Sequence, residues 1–129
     1  MATNNYIFFN LPIVKLLTIT AYGEAGNQED EGIIAVLNVI KNRVIATLNG
    51  YNLFFDQQIL EATDDVWKSV ILKSKQFSMF NADDSVRVKA IEWAENFDNK
   101  LNESKFNSVY NLVNQFLSNK FNDNVNGAT

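Results

Sequence analysis

Three short stretches of this chain hold residues whose types and spacing could do chemistry. In TITAYGEAGNQEDEGIIAVLNVIKNRV, Thr18 to Val44, one carboxylate, Glu24, ends an apolar helical run just before a glycine-bearing, acid-rich turn. It follows Ile13, Leu16, Leu17 and Thr20 at spacings of three and four, which places it on their stripe. Burial on such a stripe disfavours the charged form, and the partial negative charge of a helix C-terminus pushes the same way. Both effects suit a general acid that must hold its proton near neutral pH. The competing expectation is that the helix merely ends here and Glu24 turns out to water, as most terminal carboxylates do.

The second stretch, Glu29, Asp30 and Glu31, is best explained as the charged first turn of the next helix, although any of the three could be a partner carboxylate. Near the end of that helix Lys41 and Arg43 flank Asn42, and Arg43 is placed to ion-pair with an acid across the fold. The third stretch is LKSKQFSMFN, Leu72 to Asn81, where Gln76 and Ser78 flank Phe77. Amide, aromatic and hydroxyl together match the apolar face and hydroxyl edge of a sugar ring. The plainer alternative is that Phe77, Met79 and Phe80 cap the core while their neighbours face solvent.

Composition narrows the chemistry. The chain has 129 residues, 47% of them hydrophobic and 20% charged, which suits one globular domain spanning residues 1–129. It has no cysteine and no histidine, so a disulfide framework, a transition-metal site and the usual general base are not expected. No EF-hand-like spacing of acids points to a hard cation, and no metal or other cofactor is expected. A net charge of −4 argues against a nucleic-acid partner. The opening MATNNYIFFNLPIVKLL lacks the basic region and cleavage site of a signal peptide. Asn10, Pro12 and Lys15 break its apolar run short of a membrane span, so no membrane insertion is expected.

The elements that must position these residues are helical almost throughout. After an irregular leader over 1–12, Pro12 suits a first helical turn, and Gly23 and Gly26 are stop signals. The next helix should start near Asp30 and Glu31, bury Ile33, Val36, Leu37, Ile40, Val44 and Leu48, and end at Asn49-Gly50. Residues 51–66 show no clean period and suggest a loop with one short helical turn. Trp67 to Leu72 is short and apolar. Ser85 suits an N-cap for a helix carrying Val86, Ala90, Trp93, Ala94 and Phe97. The last helix should run from about Glu103 to Asn119 with Phe106, Val109, Tyr110, Val113, Phe116 and Leu117 on one face, leaving FNDNVNGAT as a polar loop. The expected class is mainly α, with at most a small irregular or β-hairpin segment.

Taken together, AYGEA (Ala21 to Ala25), EGIIAVLNVIKNRV (Glu31 to Val44), WKSVILKSKQFSMFN (Trp67 to Asn81) and NGAT (Asn126 to Thr129) resemble the SleB-type cell-wall hydrolases. That family includes spore-cortex-lytic enzymes and phage relatives, and the blocks stand in family order from about residue 13. The resemblance implies a compact, lysozyme-like helical domain that cleaves the glycan strand of peptidoglycan. It implies a lytic-transglycosylase scheme in which Glu24, the only catalytic residue, serves as acid and then base, without the second carboxylate of most glycosidases. Gln76, Phe77 and Ser78 would line the sugar groove, and Tyr22 would support the site. Two departures stand out. Where the family commonly has arginine and a second glutamate after the YGEA block, this chain has Gly26 and Gln28. The family also continues beyond the closing GA pair with histidine and tyrosine, whereas this chain stops at Thr129, as a truncated C-terminal end would.

The favoured expectation is a phage-encoded peptidoglycan-degrading enzyme, either a virion component or an endolysin. Its partners would be glycan strands and, in a virion, other tail proteins. It would work from the virion or from the host cytoplasm, with delivery to the wall by other means. A second expectation is a structural virion protein that keeps the fold without activity. The third, a helical protein-interaction module, needs an exposed apolar patch on one helix face.

Overall fold

The computed structural model describes the backbone of residues 5–73, 76–81 and 85–125, and the side chains of 7–73, 76–77, 79–81 and 85–118. Among these residues the chain is mainly α, as expected, and contains no strand; the allowance for a β-hairpin is not used. The helices are α1 (Asn5–Phe9), α2 (Ile13–Ala25), α3 (Asp30–Leu48), α4 (Gln57–Thr63), α5 (Val66–Ile71), α6 (Arg87–Glu95), α7 (Phe97–Lys100) and α8 (Ser104–Val125). A short 3-10 turn covers Ser78–Phe80. No helix of the described residues is long and apolar enough to cross a membrane.

The core is built around α2, which packs against α8, α3, α6 and α5. Leu16, Leu17, Thr18, Ile19, Thr20 and Ala21 are all fully buried, so mid-helix α2 has no solvent face. Two threonines survive there because their hydroxyls donate back one turn, Thr18 to the Val14 carbonyl at 2.7 Å and Thr20 to that of Leu16 at 2.8 Å. The amphipathic stripe expected of this helix is therefore a central rod.

α3 and α8 follow their expected faces. Ile33, Leu37, Ile40 and Val44 are buried on α3, and Phe106, Val109 and Val113 on α8. Leu48, expected on the buried stripe, is 67% exposed because α3 ends there and the chain turns away through Gly50, whose φ of 102° is open to glycine. α8 continues past the expected end near Asn119. Its four-residue apolar spacing, Val109, Val113 and Leu117, carries on in the sequence to Phe121 and Val125.

Three segments differ more sharply from the sequence expectation. The expected leader contains α1, where Phe8 is fully buried and meets Phe80 edge-on at 4.9 Å. The Lys68 ammonium donates to the Phe9 carbonyl at 2.6 Å, satisfying an acceptor at the helix end. In 51–66 the expected short helical turn is a seven-residue helix, α4, and α5 begins at the segment's last residue, with Asp56 and Asp65 as their N-caps. Their carboxylates accept from Ile59 N at 3.0 Å and Lys68 N at 3.1 Å. Asp64, at φ 52°, ends α4 in the left-handed region between them. Finally, Ser85 caps nothing: Val86 is the N-cap of α6, without a side-chain bond, and a break at Asn96 separates α6 from α7.

Candidate functional site

The last turn of α2 is where the central rod leaves the core. Ala21 and Ala25 remain buried, Tyr22 is half-buried, and Gly23 and Glu24 are exposed. The desolvated carboxylate expected from the helical stripe is not found, since α2 has outrun its neighbours on that side by Glu24. Glu24 is thus solvent-exposed, in the last turn of a thirteen-residue helix.

Gly23 has a close neighbour. A Cβ at this position would lie 2.4 Å from Met79 Cε and 2.7 Å from Met79 Sδ, with Trp93 Cζ3 at 3.5 Å. A methyl here would displace the end of the Met79 side chain, which is itself 2% exposed and lies against α2. Met79 directly follows Gln76-Phe77-Ser78, so the AYGEA and QFS blocks meet through these two residues. At Gly26, a Cβ would lie 2.4 Å from the Tyr22 carbonyl oxygen, so the backbone here does not accommodate a side chain.

Gln76 is half-buried and fixed by Arg43, whose Nη1 donates to its side-chain oxygen across 33 residues of sequence. The Arg43 guanidinium also lies over the Phe54 ring, 5.5 Å from the centroid. The ion pair expected of Arg43 is thus replaced by an amide. With its oxygen engaged, Gln76 makes no other side-chain bond among the described residues, and its NH2 is held as a donor. Phe77, proposed from sequence to line a groove, is 7% exposed and belongs to the core. Ser78 lies in the 3-10 turn, and its side chain is outside the described residues, as is the closing NGAT block.

Tyr22 does not converge with Glu24. Two positions apart on a helix, the two differ by roughly 200° about the axis. Tyr22 instead meets Trp93 edge-on at 5.1 Å and Phe106 at 5.0 Å. The Lys100 ammonium stands 5.0 Å from the Tyr22 centroid, 5.5 Å from Trp93 and 5.8 Å from Phe106, and bonds Glu103 at 2.7 Å. Burial opposes the Lys100 charge more than any other single influence. The hydrogen bonds and charges of Glu103 and Tyr22 together outweigh it and raise the lysine pKa above its ordinary value. Sequence reasoning assigned Trp93 to a core stripe and passed over Lys100; nothing in the spacing marks a cation that will sit among three rings.

Among the described residues no group of three or more acidic side chains could hold a metal ion. The end of α2 thus carries an exposed carboxylate at Glu24, with Met79 and the partly exposed Trp93 indole packed at Gly23, while Arg43 positions the Gln76 amide. No family model, characterised protein or solved structure matches this chain.

Proposed function

We propose that this chain cleaves peptidoglycan glycan strands between N-acetylmuramic acid and N-acetylglucosamine, as a lytic transglycosylase that uses Glu24. One observation carries the reading: Gly23 packs against Met79, which joins the glutamate block to the Gln76–Ser78 block. Two segments more than fifty residues apart, each resembling the same family, meet at the end of α2 where a carboxylate faces solvent.

The chemistry follows from the residue types. Protonated Glu24 gives its proton to the bridging oxygen as the C1–O bond breaks and positive charge develops at C1. The resulting Glu24 carboxylate takes the proton of the muramoyl 6-hydroxyl, whose oxygen attacks C1 to form the 1,6-anhydro ring. One carboxylate suffices because it is acid first and base second. With Glu24 exposed in the free protein, a bound glycan strand supplies the exclusion of water that favours the protonated form. The Gln76 NH2, oriented by Arg43, is a donor to a sugar oxygen. By resemblance the protein belongs with phage-encoded wall-degrading proteins, as a virion part or a lysin. The test is solubilisation of dye-labelled peptidoglycan by the wild type but not by Glu24→Gln.

A second reading, a virion protein that keeps the fold without the activity, is favoured by the burial of Phe77, a residue that the resemblance assigns to the sugar groove and that lies in the core instead. It requires that wild type and Glu24→Gln both leave labelled walls intact.

A further inference from the structure

Where α6, α7 and the turn before α8 meet, an open cleft of about 210 Å³ is lined by Glu92, Trp93, Asn96, Asn99, Lys100 and Glu103. We propose that this cleft binds one N-acetylated hexosamine ring, an inference that rests on the reading of the chain as a glycan-strand enzyme. Its volume lies below the roughly 300–1,000 Å³ of typical ligand pockets, which suits a single ring rather than an oligosaccharide.

The lining has the two halves that a sugar needs. Trp93 is half-buried, so part of its indole remains open, and its edge-to-face contact with Tyr22, at an interplanar angle of 82°, fixes the ring plane. The C–H face of a pyranose covers such a ring without stranding polar groups. Around it stand hydrogen-bonding groups with spare capacity. Among the described residues neither the Asn99 amide nor the Glu92 carboxylate has a hydrogen-bond partner, and the Asn96 amide makes only a long 3.4 Å contact to the Glu92 carbonyl. Glu92 accepts from ring hydroxyls, and the asparagine NH2 groups donate to hydroxyl and acetamido oxygens. Lys100, held by Glu103 at 2.7 Å, is already engaged and forms the wall rather than the recognition element.

Trp93 is also anchored from the other side, its Cζ3 lying 3.5 Å from where a Gly23 Cβ would stand, so α2 backs the indole that the cleft presents.

The test titrates N,N′-diacetylchitobiose into isotope-labelled protein and follows the Trp93 indole N–H and the Asn96 and Asn99 side-chain amides by NMR. The inference expects saturable shifts centred on those groups, the same in the wild type and Glu24→Gln. Asn99→Ala, an exposed change that leaves the core untouched, should weaken binding about fivefold, the loss of one hydrogen bond. Shifts that are absent or centred elsewhere, or an unchanged affinity in Asn99→Ala, overturn it. Binding at the cleft by a protein that leaves peptidoglycan intact supports the subsite and removes the Glu24 reading. Cleavage without binding at the cleft does the reverse.

Discussion

Arg43 on α3 donates a hydrogen bond to the side-chain oxygen of Gln76, 33 residues along the chain, while its guanidinium covers Phe54. The contact ties the polar loop of the QFS block to a helix that packs on both α2 and α5. It makes Arg43 a positioning residue, because its effect on a bound sugar would pass through Gln76.

Arg43→Met should therefore cost about 1–3 kcal/mol, since it leaves a half-buried amide oxygen unpaired and loses the stack on Phe54. Arg43→Lys should recover only part of this, because a lysine cannot bond and stack in one fixed plane. Urea unfolding measures the loss. Amide exchange at Gln76 and Phe77 should quicken in both variants, whereas exchange in α8 should follow only the global change.

The Gly23–Met79 contact gives a second test. Gly23→Ala should destabilise by about 1–3 kcal/mol, because Met79 is buried and has little room to withdraw. Met79→Ala leaves a cavity and is costly alone. In the double variant the new methyl enters that space, so the combined loss should fall short of the sum by about 1 kcal/mol in a double-mutant cycle. Strict additivity would mean that the two blocks do not touch.

Lys100 sets an alkaline limit on stability. Its pKa is raised on folding, so the folded state holds the proton more tightly than the unfolded chain. That contribution is complete below the ordinary lysine value of 10.5 and is lost as pH climbs through the raised value. Urea midpoints taken from about pH 9 to pH 12 should fall more steeply for wild type than for Lys100→Met. Near neutral pH the same change should cost roughly 1 kcal/mol, from the lost ion pair and ring contacts.

The caps of α4 and α5 show what the sequence did and did not reveal. Asp56→Ala and Asp65→Ala should each cost about 1 kcal/mol in thermal or urea unfolding, with little effect on the rest of the fold. Those aspartates were a readable start signal, but the aromatics of 51–66 carry no 3.6-residue period, and period was the stronger guide. Long periodic helices such as α3 were legible because one face is buried and the other wet. α2 misled for the opposite reason: buried on every side in its middle, it has no stripe, so the phase of Leu16, Leu17 and Thr20 could not tell where Glu24 would point. At the site, the AYGEA and QFS segments were brought together only by the family resemblance, and the Gly23–Met79 contact through which they meet was not legible in the spacing. The Arg43–Gln76 bond and the Lys100 aromatic setting depend on tertiary placement, and no spacing along the chain encodes them.

Glu24 is exposed, so Glu24→Gln should leave stability within about 0.5 kcal/mol of wild type, as surface changes usually do. Any loss of activity in this variant therefore cannot be assigned to unfolding. The most direct measurement is mass spectrometry of the soluble products when wild type and Glu24→Gln act on purified peptidoglycan. The account predicts 1,6-anhydromuropeptides from the wild type and none from the variant. Equal release by both proteins, or release by neither, would contradict it.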